Sequence, residues 1–355
     1  REFGSANLPD CSNMCHEASG SALSETLGIG KGSVTLDDLY KAELVMVIGQ
    51  NPATNHPRML TALEKCKKNG GKIIAINPLP EAGLIKFTNP QSPNKLLTGG
   101  TKIADVFVPV SINGDVAFIK ALLLKLLEKE EQNGNVFDKQ FINEFTSDYE
   151  VFIKDLKQYH FDDCLKESGV SKIIFEDTLN LVLNNNKIII CWAMGLTQHE
   201  NAVDNIRELV NLLLLKGSIG KEGAGTCPVR GHSNVQGDRT VGIWESAPQA
   251  FLDKIENKYG FKPSTKHGYS VIDAIKAMYE KKAKVFFGLG GNFISAVPDT
   301  NYSAQALANC DLTVHVSTKL NRSHLVTGKE ALILPCLGRT EKDYQKTGEQ
   351  IQSVE

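Results

Sequence analysis

The stretch Cys11-Ser12-Asn13-Met14-Cys15-His16 is the densest cluster of soft metal ligands in the chain. A zinc site would want a second pair of ligands at fixed spacing, and none follows. Two readings stand: a turn with a buried thiol, or a thiolate ligand with a titratable base directly beside it. Residues 217–237 (G-S-I-G-K-E-G-A-G-T-C-P-V-R-G-H-S-N-V-Q-G) form the second concentration, dense in glycine yet keeping Arg230, His232, Asn234 and Gln236 close together. An arginine in a glycine-built concavity suits a small carboxylate or another oxyanion, because its planar fork meets two oxygens at once. The competing reading is a domain-crossing linker with a solvated arginine.

Turns rich in Gly, Asn and Pro supply a third signal. Gly49-Gln50-Asn51-Pro52-Ala53-Thr54-Asn55 follows the apolar run at 44–48, Asn77-Pro78-Leu79 the run at 72–76, Met194-Gly195-Leu196-Thr197-Gln198 the run at 187–192, and Gly288-Leu289-Gly290-Gly291-Asn292 the run near 286. Each alone is an ordinary strand-to-helix turn. Four on one sheet edge would favour a large nucleotide-like ligand, since ligands of open parallel sheets sit beyond the carboxyl ends of the strands. No G-x-G-x-x-G joins a strand to a helix, and no Walker lysine motif is present. Gly28-Ile29-Gly30-Lys31-Gly32 precedes no apolar run of helix length and is set aside as a phosphate loop.

The elements that must position these residues alternate. L-V-M-V-I at 44–48 reads as a strand buried on both faces. A helix over 57–68 carries Met59, Leu60, Leu63 and Cys66 at helical spacing and stops at Asn69-Gly70-Gly71; K-I-I-A-I at 72–76 is the next strand. Strand, helix and strand within ~35 residues make a βαβ unit. Further strands are expected at 105–110, 187–192, 284–288, 312–316 and 331–334, with helices over 115–131, 201–216, 271–281 and 303–309 and charged helical sequence through 133–186. The pattern predicts an α/β fold with two sets of elements and a glycine-rich joint.

A chain of 355 residues corresponds to about two domains at ~150 residues each. Hydrophobic residues at 41% and charged residues at 23% exclude a disordered or collagen-like chain. A formal charge of −2 argues against a general nucleic-acid surface. No apolar run approaches the ~20 residues of a membrane span. The scatter of Cys66, Cys164, Cys191, Cys227, Cys310 and Cys336 fits a reducing cytoplasm better than a disulfide framework. With no initiating Met, the chain reads as one piece of a longer protein.

Four segments in order, N-L-P-D-C-S-N-M-C-H-E, I-G-Q-N-P-A-T-N-H-P, C-P-V-R-G-H-S-N-V-Q-G and K-L-N-R-S-H-L-V-T-G-K-E-A-L-I-L-P-C-L-G-R-T-E-K-D, carry a resemblance across nearly the whole chain. The sequence resembles the molybdopterin oxidoreductases, specifically the formate-dehydrogenase-like alpha-subunit branch. That resemblance implies two Rossmann-like, doubly wound parallel-sheet domains, one over 8–229 and an incomplete second over 230–343. It implies a bis(molybdopterin guanine dinucleotide) cofactor with molybdenum, ligated by Cys15. His16 would accept a proton and Arg230 would hold the carboxylate of formate or a similar small substrate. The pterin nucleotides would fall on Asn51, Thr54, Asn55, Asn77, Asn113, Gly114, Asp115, Gly195, Gln198, Gly231 and His232, and on Gly288, Gly290 and Asn292.

The sequence departs from formate dehydrogenases at several of these points. Asn77 stands where an acidic residue is usual, Leu79 where an arginine is, and His232 replaces a glutamine. Cysteine instead of selenocysteine implies slower chemistry. The iron–sulfur cysteines of the family would lie before residue 1 and its C-terminal barrel after about residue 343. The expected activity is two-electron oxidation in the cytoplasm, with an unidentified electron-transfer partner and neither nucleic acid nor membrane. The alternatives are a reductase of an N- or S-oxide or oxyanion, and a non-catalytic cofactor-binding piece.

Overall fold

The computed structural model describes residues 1–91, 99–232, 235–338 and 341–351. Asn234 lies outside them, as does the side chain of Gln236. Two units emerge, residues 15–233 and residues 1–14 with 234–355. This division places Arg230 in the first unit, whereas the expected boundaries of 8–229 and 230–343 place it in the second.

The first unit is built on a parallel sheet whose strands in chain order begin with β1 (Leu44–Ile48) and β2 (Lys72–Ile76). After a two-residue pairing of β3 (Lys86–Phe87) with β4 (Thr101–Lys102) come β5 (Val106–Val108), β6 (Ile188–Trp192) and β7 (Gly225–Pro228). The spatial order is β5-β2-β1-β6-β7 and every pairing is parallel. Successive residues explain the unbroken apolar runs. Leu44, Met46, Ile48, Ile188, Ile190 and Trp192 enter the core on one face, with the helices Asp115–Asn133 and Ala202–Leu215. Val45, Val47, Ile73, Ala75, Ile189 and Cys191 enter the core on the other, with Leu60, Leu63 and Cys66 of helix Pro57–Lys68. A strand covered on both sides has no polar alternation to show.

The chain builds outward from β1 through β2 to β5, then returns to lay β6 and β7 on the opposite side of β1. The order therefore reverses between β1 and β6. There the turns after the two strands meet: Gly49 adopts φ +59°, and a Cβ on Gly195 would lie 2.5 Å from Gly49 Cα. Only glycine at both positions permits that approach. Open sheets of this kind leave a crevice at such a reversal.

In the other unit, β8 (Val285–Leu289), β9 (Leu312–Ser317) and β10 (Glu330–Pro335) form a second parallel sheet, order β10-β9-β8, and β11 (Lys342–Gln345) pairs with β12 (Gly348–Ile351). One face of the second sheet packs Phe286 against Val271, Ile275 and Met278 of helix Val271–Tyr279 and Ala306 and Leu307 of helix Thr300–Ala308. Its other face leaves Val285, Phe287, Leu289, Leu332 and Leu334 exposed. Residues 1–14 belong here because their polar groups are spent here: Asn7 Oδ1 accepts from the Tyr269 N–H at 3.2 Å, and Asn13 Oδ1 from the Val271 N–H at 3.2 Å.

Two expectations are corrected. The turn at 288–292 does not share a sheet edge with the other three; it belongs to the second sheet, and Gly288 lies within β8. The glycine-rich stretch 217–237 is not all loop, since residues 225–228 are the edge strand β7, paired Cys191↔Cys227 with β6.

Candidate active site

Cys15 and His16 stand just before helix Glu17–Leu27, and Arg230 follows the end of β7. The Cys15 carbonyl accepts from Thr197 Oγ1 at 2.7 Å and from Gln198 Nε2 at 3.3 Å, which fastens it to the turn after β6. Burial pushes the Cys15 thiol up from its ordinary value, while the Gly231 N–H at the sulfur and the Arg230 charge pull it down. Those two groups favour the thiolate, the form that ligates metals. His16 is buried, with Nδ1 2.9 Å from Ser19 Oγ, which also accepts from Trp192 Nε1 at 2.9 Å. Burial first, then the Arg230 charge, brings its pKa down to about 4, against an opposing Val229 backbone contact. The ring is therefore neutral near pH 7.

Arg230 is half-buried, and its Nη2 donates to the Gly30 carbonyl at 2.9 Å. The glycine run at 28–32 thus anchors the arginine instead of a phosphate. His56 Nε2 donates to the Arg230 carbonyl at 3.1 Å, and its Nδ1 lies 3.4 Å from Gln50 Nε2. The structure brings Cys15, His16 and Arg230 into one electrostatic neighbourhood, with His56 bracing the arginine from the β1 turn.

A cleft of about 430 Å³ opens at the β1/β6 reversal, within the size range of small-molecule sites. Its lining comes from strand ends: Gly49, Gln50, Asn51 and Asn55 after β1, Asn77, Pro78 and Glu81 after β2, Ile112, Asn113 and Asp115 after β5, and Met194, Gly195, Gln198 and His199 after β6. Of the expected nucleotide residues in this unit, Asn51, Asn55, Asn77, Asn113, Asp115, Gly195 and Gln198 line it. Gly114 is not among its lining residues, and a Cβ there would lie 3.0 Å from Ser168 Cα. Thr54, Gly231 and His232 are exposed and are not among its lining residues. Gly288, Gly290 and Asn292 stand in the other unit, where Asn292 Oδ1 accepts from Ser323 Oγ at 3.1 Å. Gln50, His56, Glu81 and His199 are cleft or bracing residues that the sequence reading did not single out; their only sequence signal is their place in turns after apolar runs.

The cleft is rich in acceptors. Gln50 Oε1 and Asn51 Oδ1 are buried with no hydrogen-bond partner. Such orphans cost about 1–3 kcal/mol each unless a ligand donates to them. Asp115 is buried at the start of helix Asp115–Asn133, and burial pushes its carboxyl up to about 6 despite the nearby His199. A carboxyl whose folded pKa exceeds its value of 3.8 elsewhere contributes stability that is complete below about pH 3.8 and is lost as pH rises through about 6. Asp115→Asn is therefore expected to raise the unfolding free energy at pH 7 by up to about 3 kcal/mol, a gain that shrinks as pH falls toward 4. Urea midpoints at the two pH values check this; equal gains at both would mean that packing, not charge, decides.

Among the described residues no group of three or more His, Cys, Asp or Glu converges on a metal position. A metal held by Cys15 would take its remaining ligands from groups other than such a cluster. A single thiol beside an acceptor-lined cleft allows that. No helix among the described residues is long and apolar enough to cross a membrane.

The profile of the family described as molybdopterin oxidoreductase matches residues 3–343. The chain belongs to the molybdopterin oxidoreductase family. An uncharacterized oxidoreductase of Mycobacterium tuberculosis is 51% identical over 356 residues, covering 100% of this chain and 46% of that protein. The F420-dependent formate dehydrogenase alpha subunit of Methanocaldococcus jannaschii is 27% identical, covering 98% of this chain and 49% of that one. The chain thus spans about half the length of these relatives. Acetylene hydratase from Pelobacter acetylenicus shares the fold with a TM-score of 0.64 at 18% identity, over 89% of this chain and 43% of that one.

Proposed function

We propose that this molybdopterin oxidoreductase chain forms the cofactor cradle of a bis(molybdopterin guanine dinucleotide) enzyme that oxidises formate or a similar small substrate by two electrons. One observation carries the reading: Cys15 and His16, adjacent at the start of the first unit's sequence, both lie within reach of the Arg230 charge from its end, with the Gly231 N–H at the Cys15 sulfur. The donor set fits the cofactor at both of its ends. Cys15 would hold the molybdenum, and Gln50, Asn51, Asn77, Asn113 and Asp115 would face a nucleotide. The side-chain amide oxygens of Gln50 and Asn51, buried without a partner, would accept N–H or O–H donors such as those of the guanine edge and ribose if the side chains turned toward a ligand.

When bound, the cofactor supplies the two-electron acceptor. The chain's own groups do the rest. The Arg230 guanidinium pairs with the substrate carboxylate and fixes which way the C–H bond points. Formate becomes carbon dioxide by losing two electrons and one proton. His16, neutral near pH 7, takes that proton at Nε2 when its Nδ1–H donates to Ser19 Oγ. The full-length protein would work in the cytoplasm, carry an iron–sulfur cluster outside this chain and pass its electrons to a separate partner.

The test is to purify the full-length protein, quantify molybdenum and the nucleotide released from the pterin, and assay formate against N-oxide, S-oxide and oxyanion substrates. Formate-dependent dye reduction by molybdenum-loaded protein with guanine nucleotide is expected. Activity on oxides alone would make the protein a reductase, pterin uptake without turnover of any of these substrates would make it a non-catalytic cofactor-binding piece, and protein that takes up neither molybdenum nor pterin would overturn the cofactor reading.

A further inference from the structure

Many dinucleotide folds end their second strand on an acidic side chain that accepts from the ribose hydroxyls. Here β2 is followed by Asn77, an amide. Its Nδ2 is already spent on the Gln50 carbonyl at 2.9 Å, tying the β2 turn to the β1 turn. A carboxylate reaches the cleft by another route. Glu81 lines it, and its Oε2 accepts from Asn51 Nδ2 at 2.6 Å.

The backbone leaves Glu81 little choice of place. Pro78 and Pro80 stiffen the link from Asn77, and Glu81 caps the short helix Ala82–Ile85. A Cβ on Gly83 of that helix would lie 2.4 Å from Ala53 Cβ, so the helix rests directly on the turn that carries Asn51. The Glu81–Asn51 bond has a second effect. Holding Asn51 by its NH₂ group leaves its Oδ1 buried and without a partner, as is the Oε1 of the preceding Gln50, a residue only 2% exposed.

We propose that Glu81 takes the place of the missing strand-end acid and reads the ribose hydroxyls of the nucleotide in this cleft. One carboxylate oxygen orients Asn51 and the other accepts from the sugar. This assignment rests on the reading of the cleft as a nucleotide site.

The test uses the full-length protein prepared from a host unable to make the pterin, titrated by calorimetry with GMP and with 2′,3′-dideoxy-GMP. Wild type is expected to bind the dideoxy compound about tenfold more weakly, the scale of one hydrogen bond to a charged group. Glu81→Gln keeps an acceptor for Asn51 but loses the charge. It should bind GMP about tenfold more weakly and discriminate the two compounds by less than about threefold. If Glu81→Gln discriminates as wild type does, Glu81 does not read the sugar, while the binding of GMP itself leaves the cleft a nucleotide site. If wild type binds neither compound, the nucleotide reading falls and takes this assignment with it.

Discussion

Cys15→Ala in the full-length protein is expected to reduce formate-dependent turnover by more than ~10³-fold, the scale seen when a group acting only at the reacting centre is removed. The fold should survive. Cys15 is tied to the sheet through its carbonyl, which Thr197 and Gln198 hold, while its sulfur meets only the Gly231 N–H and the Arg230 charge among the groups that shift it. Truncating a half-buried thiol removes little packing, so a stability loss below about 1 kcal/mol is expected. Two measurements beside turnover separate ligand from scaffold: molybdenum content and thermal midpoint. Lost turnover and altered metal content with an unchanged midpoint support ligation by the thiol. Cys15→Ser, which leaves a harder and weaker donor, should fall between alanine and wild type. Undiminished turnover in the alanine variant would remove Cys15 as the ligand.

Much of the first sheet was legible in the sequence because burial on both faces writes an unbroken apolar run, as in 44–48, 72–76 and 188–192. β7 was not. Gly225-Thr226-Cys227-Pro228 has no β-branched run, and a Cβ on Gly225 would lie 2.3 Å from Ser33 Oγ, so close approach of the chain, not strand propensity, selects its residues. Nor can alternation along the chain say which sheet a strand joins. That is why the turn at 288–292 was grouped with three turns it does not accompany. The candidate site divides the same way. Cys15, His16 and Arg230 stood out by residue type, whereas Glu81 and His56 matter only through partners 30 and 174 residues away in sequence, Asn51 and Arg230.

The same distinction bears on Arg230, whose charge acts at long sequence range on both Cys15 and His16. Arg230→Ala is expected to cut kcat/KM for formate by about 1.5–3 kcal/mol of transition-state stabilisation, roughly 10- to 150-fold. Two further consequences follow from the geometry. Removing the guanidinium lifts a downward pull on both neighbours, so the Cys15 thiol and the His16 imidazolium should each become harder to deprotonate. It also removes the donor to the Gly30 carbonyl, a scaffold effect unrelated to substrate. Arg230→Lys separates these contributions. Lysine keeps a positive charge near the thiol but lacks the planar fork, so KM should rise toward the alanine value while the thiol stays near wild type. Alkylation rates of Cys15 against pH in metal-free protein read the charge, and formate KM reads the fork. If alanine and lysine variants both kept wild-type formate kinetics, the arginine would be an anchor for the glycine loop and the carboxylate would bind elsewhere.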